Sequence, residues 1–134
     1  MSPAPFESPL RTTRQRVAIL NALSDADAFL TTQEIYDRLR AKGQRVGLAT
    51  VYRTLQALAG NGVLDVLRND EGEAIYRRCV TADHHHHLVC RSCGRSVEIA
   101  SDKVETWAAR TARRHGYTSV THTVEVYGLC RDCS

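Results

Sequence analysis

With 134 residues, 43% of them hydrophobic and 25% charged, the chain has the size and composition of one ordinary domain or two small ones. No window approaches the roughly 18–20 apolar residues of a membrane span, and residues 1–10 lack a basic segment followed by an apolar stretch, so neither a membrane partner nor a signal peptide is expected. A formal charge of +3 is too mild to imply nucleic acid by itself, but Arg11, Arg14 and Arg16 crowd the start, and Arg38, Arg40, Lys42, Arg45 and Arg53 follow with few acids between them. Such a run is a solvated surface unless the fold makes it a nucleic-acid face.

In chain order, residues 13–22 read as a helix with Val17, Leu20 and Leu23 at helical spacing. Thr31-x-x-Glu34 is a capping box, in which a hydroxyl and a carboxylate satisfy free backbone N–H groups at a helix start. That second helix turns Ile35 and Leu39 inward and stops at Gly43. A third, over 48–59, buries Leu48, Val51, Leu55 and Leu58 before Gly60-Asn61-Gly62. Residues 63–67 and 74–78 then form a hairpin around Asn69-Asp70-Glu71-Gly72. Three helices and a hairpin are the order of a winged helix-turn-helix, with an unrelated helical bundle as the alternative. Residues 80–83 read as a hinge between a unit at 1–79 and another at 84–134. Beyond the hinge, 85–89, 96–99 and 118–127 read as strands and 102–115 as a helix, so the fold class is α+β.

The second unit has few large apolar residues and needs a staple. Cys90-x-x-Cys93 and Cys130-x-x-Cys133 supply one, because two such hairpins close a tetrahedral thiolate shell around zinc. In a cytoplasmic chain, where thiols stay reduced, this spacing favours metal over disulfides; free or redox thiols are the alternative. Four thiolates leave no open position, so this site is structural.

His84-His85-His86-His87 precedes the first pair. On a strand, His84 and His86 face one way and His85 and His87 the other, so one run serves two sites. We expect Asp65, Cys79, His85 and His87 in a sensory site at the hinge, and His84, His86, Glu105 and His122 in a second regulatory site. The same histidines with swapped partners, or a merely solvated run, are the alternatives. Thiolate and imidazole donors suit zinc better than magnesium, manganese or calcium, and up to three zinc ions per subunit are expected. No H-E-x-x-H, no H-x-E and no Ser/His/Asp arrangement points to an enzyme.

Leu10-Arg11-Thr12-Thr13-Arg14-Gln15-Arg16, Thr32-Gln33-Glu34-Ile35-Tyr36, Ala49-Thr50-Val51-Tyr52-Arg53-Thr54-Leu55 and His86-x₃-Cys90-x₂-Cys93 occur in order, and together they resemble the ferric uptake regulator family of metal-responsive bacterial repressors. The resemblance covers essentially the whole chain. It implies an N-terminal winged-helix DNA-binding domain, a small C-terminal α/β dimerisation domain, and a homodimer that binds A·T-rich inverted repeats in double-stranded DNA. It also implies Tyr52 and Arg53 as base contacts, Arg11 as a minor-groove residue and Thr50 as a phosphate or base neighbour. Phe29 or Leu30 stands where iron and peroxide sensors of the family carry a histidine, and Cys79 replaces a carboxylate. Both departures look like the zinc-uptake-regulator branch, and the expected function is a zinc-responsive repressor of zinc-uptake genes in which zinc, as co-repressor, locks the hinge. An iron, manganese, nickel or peroxide sensor, or a zinc storage or delivery module, is the alternative.

Overall fold

A computed structural model describes residues 9–78 and 85–134, with side chains from Arg14 onward. The chain divides into two compact units, Met1–Val80 and Thr81–Ser134. The expected hinge at 80–83, together with Cys79 and His84, lies outside the described residues.

The first unit opens with α1, Pro9–Ser24. It starts earlier than apolar spacing predicts, because a proline in the first turn lacks only an N–H that the helix would not use. Its inward stripe is Ile19, Ala22 and Leu23, whereas Val17 is 49% exposed. Of the expected stripe of Val17, Leu20 and Leu23, Leu23 is buried and Leu20 packs partly buried against the core, so only Val17 is corrected, with Ile19 inward in its place. After β1 (Leu30–Thr31) comes α2 (Thr32–Ala41), with its capping box formed. Thr31 Oγ1 accepts from Glu34 N at 3.1 Å and Glu34 Oε1 accepts from Thr31 N at 3.0 Å. The helix ends on Gly43 at φ 76°, a backbone state that an L side chain resists. There Gly43 N donates to Arg40 O at 3.0 Å and Gln44 N to Leu39 O at 2.9 Å, which satisfies two terminal carbonyls.

The third helix, α3 (Leu48–Gly60), buries Val51, Leu55 and Leu58. Leu48 was expected inside but is 44% exposed, since the first residue of the helix projects past the core. β2 (Leu64–Arg68) and β3 (Ala74–Arg78) form the antiparallel hairpin, with Leu64 opposite Arg78 and Arg68 opposite Ala74. Its turn is held by Asn69 Oδ1, which accepts from Glu71 N at 3.1 Å and Glu73 N at 2.9 Å. β1 adds a short third strand, giving the order β1-β3-β2. The core of this unit joins Ile19, Leu23, Ile35, Leu39, Val51, Leu55, Leu58 and Leu64. The arrangement is a winged helix-turn-helix.

The second unit contains β4 (His86–Cys90), β5 (Ser96–Ile99), α4 (Asp102–Arg114) and β6 (Glu125–Gly128), then a 3-10 turn at Arg131–Cys133. The sheet order is β5-β4-β6, with β4 antiparallel to β5 and parallel to β6. The long strand expected over 118–127 is confined to β6; residues 117–124 carry no strand, and Ser119 there has φ 55°. Val89, Cys90, His86, His87 and Ser96 are buried, a largely polar set for so small a unit. Apolar residues remain outside: Leu88 (44% exposed) lies in register between Val97 (54%) and Val126 (46%), and Trp107 on α4 is 67% exposed. A single chain therefore leaves this unit short of apolar burial.

Candidate metal centres and nucleic-acid interface

The four cysteines of the second unit converge, with their sulfurs within 4.8 Å of one another. Cys93 Sγ and Cys130 Sγ stand 3.7 Å apart. A tetrahedral zinc with sulfur at about 2.3 Å would set its ligands about 3.8 Å apart, so the spacing fits that ion. The first knuckle turns at Gly94, whose φ of 79° is a glycine conformation. Gly94 N donates to Cys90 O at 2.9 Å, and Cys90 N to Arg95 O at 2.8 Å. Backbone N–H groups then point at sulfur: Cys130 N and Cys93 N at Cys90 Sγ (3.4 and 3.5 Å), and Arg95 N at Cys93 Sγ (3.4 Å). Donation from Cys130 N and then Cys93 N draws the Cys90 thiol down to about 6. Cys133 is pushed up to about 12, first by its sulfur neighbour Cys130 and further by Cys90 and Cys93. Thiolates this close repel, and a divalent cation among them relieves the repulsion. Arg95 Nη1 meets Asp132 Oδ2 at 2.9 Å between the two knuckles, but both side chains are at least half exposed and the pair adds little stability.

A second cluster joins β4 to α4 and to the segment before β6. Glu105 spans two imidazoles, with Oε1 2.7 Å from His86 Nε2 and Oε2 2.9 Å from His122 Nε2. The His86 side chain is 2% exposed, and its ring centroid lies 5.3 Å from that of His122. Glu105 occupies the first turn of α4, which Ser101 caps by accepting from Val104 N at 3.4 Å. His84, expected in this set, lies outside the described residues.

His85 and His87 gather with Glu98, their ligand atoms within 4.8 Å of one another. Their rings meet edge-on at 4.8 Å. Glu98 is in register with His87 across the β4–β5 ladder, and the sequence reading missed it. Its signal was there: a lone carboxylate between Val97 and Ile99, on a strand adjoining the histidines. Of the other residues expected here, Asp65 lies in the first unit on β2, half-buried and opposite Arg77, and Cys79 is outside the described residues. Both described imidazole clusters offer borderline donors, which suit zinc.

In the first unit, a groove of about 930 Å³ opens between α3 and the hairpin, lined by Leu48, Tyr52, Arg53, Val66, Arg68 and Tyr76 among others. Tyr52 is 49% exposed, and its hydroxyl accepts from Gln56 Nε2 at 3.0 Å. Arg53 is exposed and Thr50 half-buried on the same helix, while the Arg11 side chain is outside the described set. Phe29 and Leu30, each 2% exposed, belong to the core and offer no metal donor.

Comparison with known proteins bears on this arrangement. The profile of the ferric uptake regulator family matches residues 7–127. The zinc uptake regulation protein of Mycobacterium tuberculosis (strain CDC 1551 / Oshkosh) is 52% identical over 125 residues, covering 92% of this chain and 95% of that protein. The ferric uptake regulation protein of Neisseria meningitidis serogroup A is 33% identical over 128 residues, covering 95% and 88%. The crystal structure of FurB from M. tuberculosis, a zinc uptake regulator, superposes with a TM-score of 0.58 at 50% identity, covering 95% of this chain and 98% of that one. The match across nearly the whole chain, joined to a winged helix and a four-cysteine unit, means that the chain belongs to the ferric uptake regulator family.

Proposed function

We propose that this protein is a zinc-responsive, DNA-binding transcriptional repressor of zinc-uptake genes, acting in the cytoplasm as a homodimer. As a member of its family it is a regulator and not an enzyme. No helix among the described residues is long and apolar enough to cross a membrane. The observation that carries the zinc reading is the donor chemistry around β4: four sulfurs in one cluster, His86 with Glu105 and His122 in a second, His85 and His87 with Glu98 in a third. The M. tuberculosis relative, a zinc uptake regulation protein, supports the same metal.

In this reading Cys90, Cys93, Cys130 and Cys133 hold a structural ion. Asp65, Cys79, His85 and His87 form the sensory set, with Glu98 adding a carboxylate to its imidazole side, and His84, His86, Glu105 and His122 form a second regulatory set. Bound zinc would supply the divalent charge that lets thiolates and carboxylates share one shell. Asp65 and Cys79 precede the hinge and His85 and His87 follow it, so gathering these side chains restrains the hinge. Recognition helices of the two protomers then sit one DNA turn apart, roughly 34–36 Å. Shifting the restrained state from about 1:99 to 99:1 requires a preference of roughly 5.5 kcal/mol. On the DNA side, Arg53 reads guanine through its two-pronged guanidinium and Tyr52 packs on a thymine methyl. Thr50 neighbours a phosphate or base, and Arg11 reaches the minor groove of an A·T-rich inverted repeat.

A mobility-shift titration on an A·T-rich inverted repeat tests this. Protein stripped to its structural ion is titrated in parallel with zinc, manganese, ferrous iron and nickel. The expected result is a retarded complex that forms first with zinc. Binding that ignores added zinc, or that forms more readily with iron or manganese, overturns the assignment.

A further inference from the structure

His87 occupies the central strand of its sheet with a carboxylate on either side. It is in register with Glu98 across the antiparallel ladder and with Glu125 across the parallel one. Residues paired in this way project to the same face, so the three side chains share one surface. The two carboxylates nonetheless differ in what they join. Glu98 gathers with His85 and His87, whereas Glu125 is in no donor cluster among the described residues. Glu125 Oε1 faces His87 Nδ1 at 3.6 Å, with side chains 19% and 5% exposed. At His86 and His122, by contrast, the nitrogen nearest a carboxylate is Nε2, and that carboxylate, Glu105, belongs to their own cluster.

A neutral imidazole carries its proton on one nitrogen and offers the lone pair of the other, and its hydrogen-bond partner selects which. We propose that Glu125 is a positioning residue for the sensory site: its carboxylate accepts from His87 Nδ1–H and so leaves Nε2 as the metal donor. The proposal rests on reading His85, His87 and their partners as a zinc site. The present 3.6 Å exceeds hydrogen-bond length, and the proposed bond forms by closing that gap when zinc takes Nε2. Outer carboxylates of this kind fix ring orientation and raise ligand basicity, and their removal costs 10–100-fold in metal affinity.

The test uses the full-length dimer carrying its structural zinc. Glu125→Ala, Glu125→Gln and His87→Ala are compared with the parent by competing the next zinc equivalent against a chelator. Imidazole ¹⁵N spectra before that zinc is added report the His87 tautomer. Glu125→Ala is expected to weaken the site by roughly 10–100-fold and to shift His87 away from the Nδ1–H form. Glu125→Gln keeps an oxygen acceptor in the same volume and is expected to restore most of both. An unchanged affinity or tautomer in Glu125→Ala, while His87→Ala loses the zinc, overturns the positioning role alone. A nitrogen or oxygen donor lost from the zinc X-ray absorption spectrum of Glu125→Ala overturns it too, by making Glu125 a ligand. If His87→Ala binds that zinc as tightly as the parent, the site reading falls and the proposal with it.

Discussion

Glu105 gives one oxygen to each of two imidazoles, at 2.7 and 2.9 Å, and this double contact makes it the hinge pin of its cluster. Glu105→Gln keeps the volume and removes the charge, so it should lose one zinc per subunit from the saturated protein while sparing the thiolate ion; elemental analysis after dialysis checks this. The cysteines have their own pH signature once the metal is chelated away. Cys90 is lowered from its ordinary 9.0 to about 6, so the unfolded chain binds more protons than the folded one between those values. Its stabilisation is complete above 9 and is lost as pH falls through 6. Cys133 is raised from 9.0 to about 12, and its contribution is complete below 9 and lost as pH rises toward 12. Together they place this pair's optimum near pH 9.

Among the elements, α2 shows most directly what neighbouring residues decide. Its capping box spans four residues, lies wholly in local sequence and forms at 3.0 and 3.1 Å. Thr31→Ala should cost about 1 kcal/mol, read as a lowered urea midpoint of the first unit with an unchanged slope. The hairpin was legible for a similar reason, since Asn69 and Gly72 carry the turn chemistry between two apolar runs. Less was legible in α1, where Ala18, Ile19, Leu20, Ala22 and Leu23 permit more than one inward stripe. Only contact with α2 and β3 selects Ile19, Ala22 and Leu23. β1, with two residues, is too short for any period to reveal.

For the whole molecule, the thiolate staple joins the end of β4 to the last residues of the chain, across the 37 positions from Cys93 to Cys130. Little else holds the second unit, because α4 buries none of its residues and the apolar row of Leu88, Val97 and Val126 stays exposed in one chain. Structural zinc of this type contributes about 10–16 kcal/mol in small domains, far more than this thin core can replace. Cys130→Ser should therefore lose the structural ion and, with it, the dimer that the family forms; sedimentation would show monomer or aggregate. A stable dimer from this variant would remove the staple from that role.

Taken alone, the amino-acid sequence determined the donors and the order of the parts: paired cysteines three apart, a histidine run whose successive members face opposite ways, capped helices, then a hairpin. All of these depend on interactions within a few residues, where helical and strand periods operate. The sequence also pointed to Glu105 and His122 as partners of His86; only the tertiary structure decided which carboxylates flank His87. Glu98 and Glu125 flank His87 because β4 lies between an antiparallel and a parallel neighbour, and the irregular segment before β6 carries His122 to Glu105. Strand pairing across tens of residues is chosen by the burial and hydrogen bonding of the folded sheet, and local sequence carries no such register.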